Sequence, residues 1–334
     1  MKSNFITADP LGYQAHTSFV KQAISSWGLE TKPIILSPSM KATLYGDDSV
    51  NVKALPAWLF DNQHRAWFFV CQISIMYYVL FRAIFGRHDT VVLLSYYLPV
   101  LTMFSWAFSL AGKRLIVVEH NTLVPTNKLK QFAFRLISSK VTHICFEDYI
   151  AEFVRLRYGR KAHVVRIPIA VPLSAIETKD AVGNIERIVF MPSSTVETSL
   201  LQQIESAFDG DNRYVLYCKG ESSAEDKGVV RQKFFQDYSG LLSKAFCVLI
   251  PQPFDYRVSG VFYEALLSGS IVGVADTRFG RAMEKKYPST VVIIKEWSEI
   301  LSALDTVVNN STLGITQEDW NNASGEEFLK QTNL

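Results

Sequence analysis

The chain has 334 residues, 48% hydrophobic and 20% charged, with a net charge of +2. That length suffices for two domains with full cores, and that balance is globular rather than disordered. Four widely spaced cysteines without a CxxC pair (Cys71, Cys145, Cys218, Cys247) exclude a disulfide framework or a zinc site and read as buried thiols of a reducing compartment.

No basic-then-apolar leader opens the sequence, so a cytoplasmic address is expected. The charge is divided unevenly: residues 1–180 hold 20 Lys and Arg against 12 Asp and Glu, a net +8, and residues 181–334 hold 14 against 20, a net −6. A basic first half suggests an anionic contact there. No nucleic-acid-binding motif is present, so no nucleic-acid partner is expected; an anionic membrane surface or a lipid-diphosphate acceptor fits better.

In chain order, residues 4–8 read as a first strand, followed by the turn Asp9-Pro10-Leu11-Gly12, a helix over 16–27 and a strand over 33–36. The stretch 37–62 is weakly patterned. Residues 66–85 are nearly free of charge and rich in aromatics, and 91–112 carry no charge at all. By length each could cross a membrane. The break Ser95-Tyr96-Tyr97-Leu98-Pro99 splits the second into a strand and a helix, which favours buried core elements. Insertion of an aromatic helix face into one leaflet stays open beside it, as does spanning. Alternating strands and helices then run to 163–167, the pattern of a doubly wound parallel sheet, in which ligands bind beyond the carboxyl ends of the strands. Glu119 and His120 stand at such an end. A histidine there can hydrogen-bond a sugar hydroxyl or transfer a proton, or its ring can be satisfied by backbone; Glu119 is a catalytic carboxylate or a partner for His120.

Residues 171–184 lose periodicity and read as a linker between a first domain, 1–170, and a second, 185–312, with a polar tail over 313–334. In the second domain strands are expected at 187–191 and 213–218 and a helix at 199–208. Helices are expected within 228–243, and another at 297–308. Lys219 stands at the carboxyl end of the second strand.

The most informative stretch is 246–276, FCVLIPQPFDYRVSGVFYEALLSGSIVGVAD. A buried strand is stopped by Pro251 and Pro253, a polar loop follows, and a helix begins after Ser259-Gly260. Free N–H groups and the positive dipole end at that start suit an anion, Gly260 permits close approach, and Arg257 adds a charge matched to phosphate oxygens. Glu264, one turn in, can accept from sugar hydroxyls.

RVSGVFYEALLSGSIVGV resembles the donor-site segment of GT-B glycosyltransferases, the retaining group 1 (family 4-like) enzymes in particular. The resemblance implies two Rossmann-like α/β domains facing across a cleft, the first on the acceptor side and the second binding a nucleotide-diphosphate sugar. It implies that Glu264 holds the ribose, that Arg257, Ser259 and Gly260 line the diphosphate pocket, and that His120 contacts the donor sugar. Gly12 corresponds to the glycine loop after the first strand. The family's other acidic position falls on Tyr256, with Asp255 one place out of register. The usual Arg…Lys-Gly pair is replaced by Met191-Pro192-Ser193-Ser194-Thr195, where Ser193 can still bind phosphate, and Lys219 is a further candidate for the leaving group. The resemblance implies a fold that needs no cofactor and no divalent metal in the site, and no DxD-like motif of the metal-dependent class is present. The acceptor implied is a saccharide or polyprenyl-diphosphate-linked saccharide of surface polysaccharide synthesis, met peripherally at the inner face of the cytoplasmic membrane. Two alternatives remain: a sugar-nucleotide epimerase of the same fold, and a non-catalytic homologue acting as a membrane-associated partner subunit.

Overall fold

A computed structural model describes residues 4–45, 51–60, 64–120, 122–124, 126–169, 187–193, 196–221, 228–306 and 315–334. The chain divides into two compact units.

The first unit begins with β1 (Phe5–Ala8), α1 (Thr17–Ser26), β2 (Ile34–Leu36), α2 (Pro38–Tyr45) and β3 (Val52–Ala54). It continues with α3 (Arg65–Phe85), β4 (Thr90–Leu93), α4 (Leu98–Leu110), β5 (Arg114–Val118), α5 (Lys128–Leu136), β6 (Thr142–Cys145), α6 (Asp148–Tyr158) and β7 (Lys161–Val164). Its seven strands are all parallel, in the order β3-β2-β1-β4-β5-β6-β7. β1, β4 and β6 are buried along their whole length, as strands covered on both faces by crossover helices must be. From β1 the chain works outward through β2 and β3, then returns to β4 and works outward the other way. The order therefore reverses between β1 and β4, which opens a crevice at their carboxyl ends.

The second unit holds β8 (Arg187–Met191), α7 (Thr198–Phe208), β9 (Tyr214–Lys219), β10 (Val229–Gln232), α8 (Tyr238–Lys244) and β11 (Cys247–Ile250). α9 (Gly260–Leu267), β12 (Ile271–Ala275), α10 (Arg278–Lys286), β13 (Val291–Ile294) and α11 (Ile300–Asp305) complete it. Its parallel order is β10-β9-β8-β11-β12-β13, so the reversal falls between β8 and β11. Both units are doubly wound, as the alternation of elements predicts.

The last helix, α12 (Gln317–Thr332), belongs from Glu318 onward to the first unit. Trp27 donates to Ser324 at 3.0 Å and stacks on Phe328 with ring centroids 4.2 Å apart, and Trp320 donates to the Ile167 carbonyl at 2.8 Å. A Cβ on Gly325 would stand 2.0 Å from the Ser26 carbonyl oxygen, so only glycine permits this approach.

The structure departs from the sequence reading at four places. The weakly patterned stretch 37–62 contains α2 and the edge strand β3, in which only Val52 is buried. The region 228–243 supplies β10, another edge strand, as well as helix. The strand expected at 163–167 lies at Lys161–Val164, and the helix from Trp297 begins as a 3-10 turn, Trp297–Glu299, before α11. The expected linker, the start of the second domain, Asn121, Ser194 and Thr195 lie outside the described residues.

Candidate functional site

Each unit carries a cluster at its own strand-order reversal. In the first, β1 ends into Asp9, which is 1% exposed. Ser95, just past β4, donates to Asp9 Oδ1 and accepts the Leu11 N–H at 3.1 Å, and the Gly12 N–H also reaches the carboxyl. The other oxygen, Oδ2, is buried without a partner. Burial is the largest effect and raises this carboxyl from 3.8 to about 6, against the pull of Ser95 and Gly12. Gly12 sits at φ +61, and a Cβ there would stand 2.6 Å from the Phe60 ring. The glycine is thus required by the fold of the loop.

His120 faces the same crevice. Its Nε2 lies 3.0 Å from the Leu94 carbonyl, which can only accept, so Nε2 carries the proton and Nδ1 the lone pair. The ring stacks on His16 at 5.1 Å and meets the Phe19 ring edge-on at 4.4 Å. Burial, reinforced by His16, lowers its pKa to about 3, so His120 is neutral at any ordinary pH. With His16, Tyr96 and Thr122 it lines a cavity of about 580 Å³.

Glu119 points elsewhere. It is 3% exposed and accepts from Tyr96 at 2.6 and 2.7 Å, from Thr122, and from His143 Nδ1 at 2.6 Å. The sequence reading of Glu119 as a partner for His120 is therefore corrected: successive side chains at a strand end point to opposite sides, and the buried His143 on β6 takes the carboxylate. A carboxylate holding three donors is a structural hub tying β5 to β6 and to the loop after β4.

In the second unit, Pro251 turns the chain out of β11 into the loop leading to α9. Ser259 caps α9 in an extended conformation without a side-chain hydrogen bond to the helix. Gly260 is exposed, and a Cβ there would meet nothing within 4 Å, so the space over the helix start is open. Here the fold does not require glycine; an approaching ligand would exploit it. Arg257, three residues before that helix start, is exposed with its guanidinium 4.6 Å from the Phe254 ring centre.

Glu264 accepts a hydrogen bond from Tyr238 of α8. Burial raises its pKa and the Tyr238 bond opposes the rise. Tyr256 is 8% exposed and packs under the Arg278 guanidinium at 4.8 Å, while Asp255 accepts the Arg278 N–H at 3.5 Å. Both residues thereby fasten the loop to the start of α10. Ser193 stands past the end of β8, the other strand of the reversal. Lys219 ends β9, one strand further out. Beyond it Gly220, Arg231, Phe234 and Asp237 line an open cavity of about 950 Å³ leading towards α8.

The structure thus places Arg257, Ser259, Gly260 and Glu264 on one loop and helix with Ser193 at the neighbouring strand end, and puts Gly12 and His120 on a second cluster in the other unit. Asp9, Ser95, Tyr96, His143 and Tyr238 carry these clusters and were given no role by sequence reasoning. Among the described residues no group of three or more His, Cys, Asp or Glu could hold a metal ion.

Two doubly wound parallel units, each with polar groups at its reversal point, define the class: this is the GT-B fold. No protein-family profile matches the sequence, nor does any curated protein. Among solved structures the chain is similar to HepE of Anabaena in complex with UDP-glucose, at 15% identity over 98% of this chain and 95% of that one, TM-score 0.62. It is similar to the lipopolysaccharide outer core galactosyltransferase WaaB, at 12% identity over 100% and 98%, TM-score 0.62. It is also similar to the UDP-GlcNAc 2-epimerase of Neisseria meningitidis bound to UDP-GlcNAc, at 11% identity over 99% of each chain, TM-score 0.65.

Proposed function

We propose that this protein is a glycosyltransferase that moves a sugar from a nucleoside-diphosphate sugar to a saccharide acceptor, with retention of configuration and without a divalent ion. The observation that carries the reading is the arrangement at the β8–β11 reversal. An open helix start, Ser259 and Gly260, has the Arg257 cation close before it in the chain and a half-buried carboxylate, Glu264, held by Tyr238 one turn along. That set matches a diphosphate next to a ribose: N–H groups and a guanidinium for the phosphates, a carboxylate for the hydroxyls. In the reaction the bond from the anomeric carbon to the diphosphate oxygen breaks and its electron pair leaves with the nucleoside diphosphate. The acceptor oxygen forms the new bond as its proton passes to an oxygen of the departing diphosphate. Arg257, the α9 dipole and Lys219 stabilise the departing charge. Neutral His120, with Nδ1 as its lone-pair nitrogen, accepts from a sugar hydroxyl. HepE, solved with UDP and with UDP-glucose, supports a UDP-sugar as the first donor to try.

The acceptor we propose is lipid-linked, in surface polysaccharide synthesis, with the protein peripheral on the inner face of the cytoplasmic membrane. The basic first half and the apolar helices of that half support this.

The test is thermal stabilisation of the purified chain by UDP, GDP, ADP, TDP and their sugars, with and without magnesium. One diphosphate should raise the midpoint in a concentration-dependent, magnesium-independent way. Glu264→Gln should weaken that binding by about 1–3 kcal/mol, and Arg257→Ala should abolish turnover in a folded protein. If no nucleotide shifts the midpoint, the donor reading falls and the partner-subunit alternative takes its place.

One observation favours a second reading, a sugar-nucleotide epimerase. The cavity of the first unit is lined by the stacked imidazoles of His16 and His120, groups suited to proton transfer, and epimerases share the fold. Isomerisation of the nucleotide sugar with no acceptor present, followed by NMR, would establish it.

A further inference from the structure

The solvent side of α3, α4 and α5 has the chemistry usually found inside a protein. On α3 the side chains Trp67, Tyr77, Phe81 and Phe85 recur along one stripe and are 44%, 62%, 55% and 70% exposed. On α4 the outward stripe is Met103, Trp106 and Leu110, at 56%, 54% and 87%. On α5 it is Leu129, Phe132 and Leu136, at 77%, 59% and 45%. These stripes form one surface. The Tyr77 and Phe104 rings meet edge-on at 4.8 Å, Thr102 donates to the Ala133 carbonyl at 3.1 Å, and Trp106 donates to the Leu136 carbonyl at 2.8 Å. Isolated surface hydrophobes need no explanation, but a continuous apolar face does.

Charge identifies what covers it. Beside these stripes the three helices carry Arg82, Lys128 and Arg135, all exposed, and not one Asp or Glu; their other two cations, Arg65 and Lys130, line the His120 cavity. A second copy of this chain would set that cationic face against itself, because a two-fold interface pairs a patch with its own image. An anionic lipid surface instead takes the cations at its headgroups and the apolar stripes just beneath, with Trp67 and Trp106 at the level where indole rings prefer to sit.

We infer that the α3–α4–α5 face docks this protein onto an anionic bilayer by inserting into one leaflet. This specifies the surface for the membrane contact proposed above and needs nothing of the nucleotide chemistry. α3 is long and apolar enough to cross a membrane, yet its other face is committed to the core. Cys71, Ile75, Met76, Val79 and Ala83 are buried, and fully buried Gln72 donates to the Pro10 carbonyl at 2.9 Å. Crossing would strip that packing and bury an amide without a partner, so α3 lies with its aromatic stripe in the leaflet.

The experiment is flotation of the full chain with vesicles of phosphatidylcholine alone or mixed equally with phosphatidylglycerol, with tryptophan quenching by brominated phosphatidylcholine. Flotation with the mixed vesicles, quenching that falls in Trp106→Phe, and weak binding to the neutral vesicles are expected. Lys128→Ala with Arg135→Ala should lower the partition by about thirtyfold. Phe132→Glu with Leu136→Glu, neither of which lines the His120 cavity, should abolish it while leaving the thermal midpoint and any nucleotide-induced shift unchanged. Three results would overturn the inference: no flotation of the wild-type chain, flotation that neither pair reduces, or a dimer in solution that the glutamate pair dissociates. The nucleotide shift, read in the same samples, fails separately if the donor reading is wrong.

Discussion

Asp9 gives the sharpest test of the structure, because one atom should change the pH dependence of the whole first unit. Its carboxyl is raised from 3.8 to about 6 by burial, with Oδ2 buried and unpartnered. A carboxyl raised in the folded state holds its proton more tightly there than in the unfolded chain. Its contribution is therefore present at low pH and is lost as pH rises between about 4 and 6. The shift of roughly two pKa units corresponds to about 3 kcal/mol at 1.36 kcal/mol per unit. Asp9→Asn keeps an oxygen to accept from Ser95 and Gly12 but cannot ionise. Its amide nitrogen occupies the unpartnered Oδ2 position, at a cost of about 1 kcal/mol that does not vary with pH. The variant should thus be about as stable as wild type near pH 4.5, where the wild type has already lost about 1 kcal/mol of the Asp9 contribution. It should overtake wild type above that pH, with the difference moving by about 2 kcal/mol between pH 4.5 and pH 8, or about 4 °C or more in thermal midpoint for a unit of this size.

The assay is thermal unfolding of both proteins in half-unit steps from pH 4.5 to 8, read as the difference between them. His120, with its pKa lowered to about 3, works in the opposite direction: it gains stability for the fold as pH rises towards 6.5. That contribution is common to both proteins and cancels in the difference. A difference that stays flat with pH would show that Asp9 ionises as a surface carboxylate does, and would refute the account of the Asp9–Ser95 latch.

Two further outcomes follow from the same crevice. Gly12→Ala should destabilise the first unit by about 2 kcal/mol or more, since φ +61 is unfavourable for alanine and its Cβ would meet the Phe60 ring at 2.6 Å; urea unfolding measures it, and a neutral result would remove the steric argument. His120→Ala should lower kcat by about 10²-fold or more while leaving nucleotide affinity intact, and the wild-type rate should show no histidine titration from this residue between pH 5 and 8, because its ring is already neutral; steady-state kinetics beside calorimetry separate the two effects.

What could be read from sequence, and what could not, follows from how far apart the partners lie. β11 announces itself as an uncharged apolar run because both its faces are covered, and all four of its residues are buried. β3 and β10 are edge strands with one buried residue apiece, so the burial that writes a strand into a sequence is missing. That Arg257, Ser259, Gly260 and Glu264 share one loop and helix start was legible for a related reason. They lie within eight residues of one another, and local rules on loops and helix starts already place them together.

The first unit's cluster is assembled from the far ends of separate strands, Asp9 with Ser95, and Tyr96 with Glu119 and His143, so no spacing rule links its members. A carboxylate at a strand end reads as catalytic when its neighbours are unknown. Here Glu119 turns inward and, through Tyr96, Thr122 and His143, holds loops that shape the cavity beside His120 rather than meeting its contents. The apolar helices raise the converse difficulty. A stretch such as Arg65–Phe85 is hydrophobic all round, and hydropathy cannot tell a face packed on protein from one turned towards lipid. Only the positions of Gln72, bound to the Pro10 carbonyl, and of Phe81, in the open, divide that helix into its two sides. The same division decides against spanning: a helix with one face in the core and one bare has a single side left to give to a membrane.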